Sequence, residues 1–129
     1  MAIFTDVFPV ADFDKKSATT TDDTATEVLG ISLAEEQTAL VYTMATARNA
    51  DGSINGTFII NSAWYRNAAG DVTQVGATMS INTEVTAAST IAVTHVADTA
   101  NQKISLRVTG ETSETISWTT HTKYIIVTH

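Results

Sequence analysis

Residues 103–110 read Lys-Ile-Ser-Leu-Arg-Val-Thr-Gly, and residues 115–127 read Thr-Ile-Ser-Trp-Thr-Thr-His-Thr-Lys-Tyr-Ile-Ile-Val. The first stretch alternates apolar and polar residues, as a strand with one buried face does. A polar segment, Glu-Thr-Ser-Glu, separates the two stretches and is typical of a turn. The pattern predicts a β-hairpin here and an all-β chain around it.

The composition favours β structure over the whole chain. Its 129 residues suffice for one domain with its own core, and 43% of them are hydrophobic while only 16% are charged. There are 24 threonines, and threonine, which is β-branched and half-polar, suits the solvated side of a sheet. Because the chain has no cysteine, disulfides and thiolate chemistry are excluded.

Strand-like segments separated by turn signals follow one another from residue 24 onward, at the spacing typical of a sandwich or barrel. Asp-Gly, Asn-Gly and Gly-Asp pairs supply the turn residues, since these residue types tolerate positive φ. We predict an antiparallel β-sandwich of about 7–8 strands, jelly-roll or immunoglobulin-like, over residues 24–129. The predicted strands are Thr24–Leu33, Thr38–Arg48, Thr57–Arg66, Val72–Met79, Thr90–Val96, Lys103–Thr109 and Thr115–Thr128.

Residues 1–23 differ from the rest and are predicted to form an extended arm followed by a linker. Their apolar residues are spaced irregularly, the chain's single proline is Pro9, and a polar stretch runs over residues 14–23. The arm either packs along its own domain or anchors onto a neighbouring subunit through Phe4, Phe8 and Phe13. Its aromatic content argues against a disordered tail.

The last predicted strand is apolar on both sides near its end. Period-two alternation places Ile125 and Val127 on the side opposite Trp118. Since a strand of a monomeric sandwich needs only one buried face, we expect the arm or another subunit to cover Ile125 and Val127. These two residues and the three arm phenylalanines are the candidate interface residues.

The charge pattern excludes several partners. The net charge is −7, the pI is about 4.6, and the basic residues are scattered, so the chain lacks the basic cluster that direct nucleic-acid binding requires. No apolar run approaches the ~18 residues of a membrane span. The first residues lack the basic and continuous apolar regions of a secretion signal, so we expect folding in the cytoplasm.

No motif predicts catalysis or a metal. Asp51–Gly56 matches the first half of a calcium loop, but position twelve is Ser62 instead of a bidentate glutamate, so a hairpin turn is favoured over a calcium site. His95, His121 and His129 are not spaced as a ligand cluster. No Gly-x-Ser-x-Gly and no P-loop occurs. We therefore expect no enzyme and no cofactor.

The aromatic residues Trp64, Tyr65, Trp118 and Tyr124 have two possible uses. Core or interface packing is the common use of aromatic side chains on strands. The alternative is a platform on which sugar rings stack, and that use requires Trp64 or Trp118 to be exposed.

With strands and turns placed, the sequence resembles the small β-sandwich virion proteins and tail-associated modules of tailed bacteriophages. The resemblance covers about residues 22–127. The stretches that carry it are Asp23-Thr-Ala-Thr-Glu-Val-Leu-Gly-Ile-Ser32, Ala45-Thr-Ala-Arg-Asn-Ala-Asp-Gly52, Trp64-Tyr-Arg-Asn-Ala-Ala-Gly-Asp-Val-Thr-Gln-Val-Gly-Ala77, Arg107-Val-Thr-Gly110 and Ile116-Ser-Trp118.

This resemblance implies a structural role in the virion, with folding in the cytoplasm of the host bacterium. It implies a homo-oligomer, with a trimer favoured, and contact with the major capsid protein or another virion protein. A separate module with an arm favours a capsid decoration, or cementing, protein that stabilises the head. The alternative is a tail or fibre protein that recognises host-surface glycans.

Overall fold

The structure, a computed structural model, describes residues 13–85 and 90–129. The described chain forms eight strands in two antiparallel sheets. The strands are β1 (Asp14–Thr20), β2 (Thr26–Ser32), β3 (Gln37–Asn49), β4 (Asn55–Arg66), β5 (Thr73–Val85), β6 (Ala92–Asp98), β7 (Lys103–Thr109) and β8 (Ile116–Thr128).

The two sheets confirm the predicted β-sandwich. The large sheet has the order β1-β8-β3-β4-β5, and the small sheet has the order β2-β7-β6. This order differs from the ABED and CFG sheets of immunoglobulin constant domains. Within residues 13–85 and 90–129 no helix has the length and hydropathy that crossing a membrane requires.

The core lies between the sheets and follows the predicted alternation. On β7, Ile104, Leu106 and Val108 are fully buried, and β3 buries every second residue from Ala39 to Asn49. Phe58 and Trp118 pack with ring centroids 5.8 Å apart in one half of the core. The other half is built around the fully buried Trp64, Leu33 and Val41.

The predicted hairpin between β7 and β8 is wrong. Both strands exist, β7 with the predicted bounds, but β7 pairs with β2 and β6 while β8 pairs with β1 and β3. Each strand carries large apolar side chains on its inner side, and these meet across the interior of the sandwich. The polar segment between them therefore crosses from one sheet to the other instead of closing a hairpin.

Gly110 is the first residue of the crossing segment, and the space around its Cα leaves no room for a side chain. A Cβ atom at Gly110 would lie 2.7 Å from the carbonyl oxygen of Asp22 and 2.9 Å from the Cβ of Thr20. The absence of a side chain therefore lets the crossing segment pass against the end of β1.

The linker predicted for residues 14–23 is wrong over most of its length. Asp14–Thr20 forms β1, which pairs with β8 from Thr122 to Ile116. The polar composition of this stretch suits an edge strand, because charged residues such as Lys15 and Lys16 discourage pairing with other chains. Residues 1–12 of the predicted arm lie outside the described residues.

Strand β5 is longer than predicted and reaches Val85. Its pairing with β4 shifts between Asn61 and Ala63, where Met79 and Val75 are the partners. Gly76 lies in this bulge with φ of +68°, a backbone conformation that favours glycine.

Candidate functional site: the exposed apolar surface of the large sheet

The outward-facing sides of the two sheets differ in chemistry. On the small sheet, Lys103 Nζ lies 2.9 Å from Glu27 Oε2, and Ser105 Oγ donates a 2.6 Å hydrogen bond to Glu27 Oε1. The hydrogen bond from Ser105, followed by that from Lys103, holds the pKa of Glu27 below its usual value. This side therefore has the charged character of a solvated surface.

The large sheet instead presents apolar side chains to solvent. Register aligns them in three rows that cross β8, β3, β4 and β5. The rows are Ile125, Leu40, Ala63 and Val75; Lys123, Tyr42, Asn61 and Met79; and His121, Met44, Ile59 and Ile81. None of these twelve residues is a carboxylate, although the chain carries 14 acidic residues.

The free edge of the large sheet is formed by β5, whose second side has no strand within the part of the chain that the structure describes. Its Val75, Met79 and Ile81 are 50%, 66% and 70% exposed. No charged residue occurs between Asp71 and Glu84. We call these three side chains and the free edge of the strand the β5 rim.

The rim lacks most of the usual protection of an edge strand. Edge strands are commonly blunted by lysine, proline or a bulge, because unpaired backbone groups act as a template for another strand. The described part of β5 has the bulge at Gly76 but neither lysine nor proline. Its exposed apolar residues therefore make the rim a candidate interaction surface.

The inner part of the same sheet side forms a second apolar area. It consists of six outward apolar side chains on β3, β4 and β8, with the polar Asn61, Lys123 and His121 in the same rows. The six are Leu40, Tyr42, Met44, Ile59, Ile125 and Val127. We call it the apolar face. Ile125 and Val127 are 61% and 65% exposed.

The predicted interface residues lie in part on this surface. Ile125 and Val127 belong to the apolar face, and Phe13 is half-buried beside it, with its ring centroid 6.3 Å from that of His121. Phe4 and Phe8 lie outside the described residues. That Ile125 and Val127 are covered by the arm or by a subunit stays a prediction.

Sequence reasoning missed the residues of the rim. Met79 and Ile81 were not singled out, because the predicted strand ended at Met79 and the alternation breaks at the bulge. The available signal was the long uncharged run after Asp71.

The sugar-stacking alternative for the tryptophans is contradicted. Trp64 and Trp118 are each 1% exposed, so neither presents a ring face to a ligand. Their indole N–H groups donate to hydroxyl oxygens inside the protein, from Trp64 to Ser62 Oγ at 2.7 Å and from Trp118 to Thr20 Oγ1 at 2.9 Å. Both residues hold the core together.

A chain of buried polar side chains lies between the sheets. His95 Nδ1 is 2.6 Å from Ser62 Oγ, and His95 Nε2 is 2.8 Å from Thr43 Oγ1. Thr43 Oγ1 in turn lies 2.9 Å from Thr122 Oγ1. A neutral ring protonated on Nε2 satisfies this chain: Ser62, which accepts from Trp64, donates to Nδ1, and Nε2 donates to Thr43.

This network of hydrogen bonds stabilises the core, and its side chains are too deeply buried for a substrate to reach them. A serine hydroxyl beside an imidazole is the pairing used in nucleophilic catalysis, but Ser62 is 3% and His95 6% exposed. Burial lowers the pKa of His95 to about 4, because desolvation disfavours the charged ring. The sequence showed the signal for this network, since Thr43, Ser62 and His95 occupy inward positions of their strands.

The calcium-like segment forms the connection between β3 and β4, as the hairpin-turn prediction requires. Asp51 Oδ1 accepts hydrogen bonds from Ser53 Oγ at 2.7 Å and Ser53 N at 2.9 Å. These bonds hold the pKa of Asp51 below its usual value. Among the described residues, no group of three or more His, Cys, Asp or Glu could hold a metal ion.

Comparisons with known proteins include a structural similarity to a phage protein. No protein-family model matches the chain, and no curated relative matches it in sequence. The tailspike protein of Acinetobacter baumannii phage AM24 is similar over 87% of this chain and 26% of its own length, with 14% identity and a TM-score of 0.35. The chain therefore spans well under half of that tailspike.

Proposed function

We propose that this protein is a phage virion structural protein, most specifically a capsid decoration protein that stabilises the head by binding capsomers as an oligomer. The observation that carries the proposal is the β5 rim, an edge strand without charged residues from Thr73 to Thr83, on which Val75, Met79 and Ile81 are exposed. The sequence resemblance to small phage virion proteins supplies the virion context.

The rim supports assembly by strand addition. An unpaired edge can accept a strand from a second copy or from a capsid protein, with backbone hydrogen bonds giving affinity and alternate side chains giving specificity. A homo-oligomer, with a trimer favoured, extends this contact over several copies. On a shell with many equivalent sites, such multivalent contact multiplies a modest affinity.

We propose a role without catalysis. The serine–histidine pair that most resembles a catalytic arrangement is buried, since Ser62 and His95 are 3% and 6% exposed. The alternative function, recognition of host glycans, required Trp64 or Trp118 to be exposed, and both are buried.

Binding to phage particles tests the proposal. Particles assembled without this gene product are mixed with the purified protein and sedimented, and their resistance to heat is measured. We expect the wild-type protein to sediment with the particles, to raise their heat resistance, and to show an oligomeric mass by light scattering. A lysine at the rim, Ile81→Lys, should strongly weaken the binding, because a lysine on an edge strand opposes its pairing with another strand.

The matched control is Thr94→Lys, which adds the same charge at an exposed position on the small sheet. This variant should bind particles like the wild type. Absence of the protein from wild-type particles, or equal binding by the two lysine variants, refutes the proposed use of the rim.

A further inference from the structure

The described chain begins at the border of the apolar face. Phe13 precedes β1, and its ring packs against His121, which register places next to Met44 in the outward row of the large sheet. Because Lys15 pairs with His121, Phe13 lies on the same outward side of β1 as Lys15, two residues away. The segment that precedes Phe13 therefore starts beside the apolar face.

The size of the apolar face suits a short segment better than a second copy. Four side-chain rows across three strands, from the row of Val127 to that of Met44, cover roughly 400 Å² at the usual strand spacing and rise. A stable protein–protein interface needs about 800 Å² from each partner. The face is therefore too small for a dimer contact by itself, whereas one extended segment can cover much of it.

The segment before Phe13 is long enough, when extended, to cross the apolar face. The order β1-β8-β3-β4 places β3 about 10 Å and β4 about 15 Å from β1. An extended chain spans at most ~3.3–3.6 Å per residue, so residue 8 reaches about 17 Å from Phe13. Residues 3–10 can therefore reach all three strands of the face.

The composition of the segment before Phe13 also suits the apolar face. Residues 3–10 read Ile-Phe-Thr-Asp-Val-Phe-Pro-Val, with five apolar side chains for an apolar surface. Pro9 removes one backbone donor, which is compatible with packing onto the side of a sheet through side chains.

We infer that residues 3–10 dock across the apolar face of their own large sheet, on Leu40, Tyr42, Met44, Ile59 and Ile125. The segment then covers the second apolar side of β8 and leaves the β5 rim as the surface open to partners. This inference does not depend on the phage role, because it concerns contacts within one chain.

Engineered disulfides test the docking, since the natural chain has no cysteine. The full-length double variant Phe8→Cys with Tyr42→Cys is oxidised in dilute solution, and its mass and rate of crosslinking are measured. The matched control is Phe8→Cys with Thr94→Cys, whose second cysteine lies on the exposed side of the small sheet. We expect a crosslink within one chain that forms about tenfold faster in the Tyr42 pair, because docking raises the effective concentration.

Equal crosslinking rates in the two pairs would overturn the inference, and so would crosslinks found only between chains, which would mean that a neighbour supplies the segment. A second readout covers the case in which the cysteine variants fold poorly. Deleting residues 1–12 should raise the binding of a hydrophobic dye severalfold while the β signal in circular dichroism persists. Unchanged dye binding by a folded deletion protein would also refute the docking.

Discussion

At the scale of single residues, the interior of the sandwich contains polar side chains among its apolar ones. Thr43, Ser62 and His95 occupy inward positions and satisfy one another by hydrogen bonds. Such a network stabilises one arrangement of the core when every member has a partner, and an unpaired member is costly.

The first prediction concerns the free energy of unfolding at acidic pH. The unfolded chain binds a proton at His95 below pH 6.5, whereas the folded protein does so only near pH 4. The free energy of unfolding therefore falls as the pH drops from 6.5 towards 4, by about 3 kcal/mol from this residue. Urea unfolding at several pH values should show this slope in the wild type and a shallower one in His95→Gln.

The control for this measurement is His121→Gln, because His121 is only half-buried and its removal leaves the buried network intact. This variant should keep the wild-type slope. A His95→Gln protein whose slope equals that of the wild type between pH 6.5 and 4 would contradict the prediction.

The second prediction concerns Thr120, whose buried Oγ1 has no hydrogen-bond partner in the described structure. Thr120→Val replaces the hydroxyl by a methyl group of similar shape and should raise the free energy of unfolding by about 1 kcal/mol. Thr122→Val should lower it by about 1 kcal/mol, because Thr122 Oγ1 is bonded to Thr43. Chemical denaturation of both variants measures the difference, and equal effects would be the contrary result.

At the scale of elements, strand existence was predictable and strand partnership was not. Each predicted segment became a strand, because alternation and turn residues are local signals. The pairing of β7 and β8 was mispredicted, since a short polar connection serves a hairpin and a crossing between sheets equally well. Strand β1 was missed because its polar residues carry no period-two signal, and pairing with β8 alone makes it a strand.

The third prediction follows from β1. A protein that starts at Phe13 keeps β1 and should unfold cooperatively. A protein that starts at Thr24 loses β1, one of the two strand partners of β8, and leaves the buried N–H of Trp118 without its acceptor Thr20. We expect the second truncation to cost roughly 3 kcal/mol or more, or to prevent folding.

Thermal unfolding followed by tryptophan fluorescence compares the two truncated proteins. Thr20→Val in the full chain isolates the hydrogen bond, while Thr20→Ser keeps the hydroxyl and serves as its control. Equal unfolding temperatures for the two truncated proteins would show that β1 contributes nothing to the domain.

At the scale of the whole molecule, the structure divides the surface into three regions of different chemistry. The outward side of the small sheet is charged around Glu27 and Lys103. The β5 rim is apolar, and its outer edge has no strand partner among residues 13–85 and 90–129. The apolar face lies between the rim and β1. Sequence pattern indicated a second apolar side through Ile125 and Val127. It did not place Ile125 in one row with Val75, because register across four strands decides which residues share a row.

The sequence by itself determined the β class, the approximate strand positions after residue 24 and the inward residues of β7, because alternation and turn chemistry depend only on near neighbours along the chain. Tertiary structure alone decided that β7 and β8 lie in opposite sheets, that Asp14–Thr20 is a strand, and that both tryptophans are buried. It also decided that β5 lies at a free edge. These features depend on which distant segments meet, and burial of apolar area selects those partners over the whole chain.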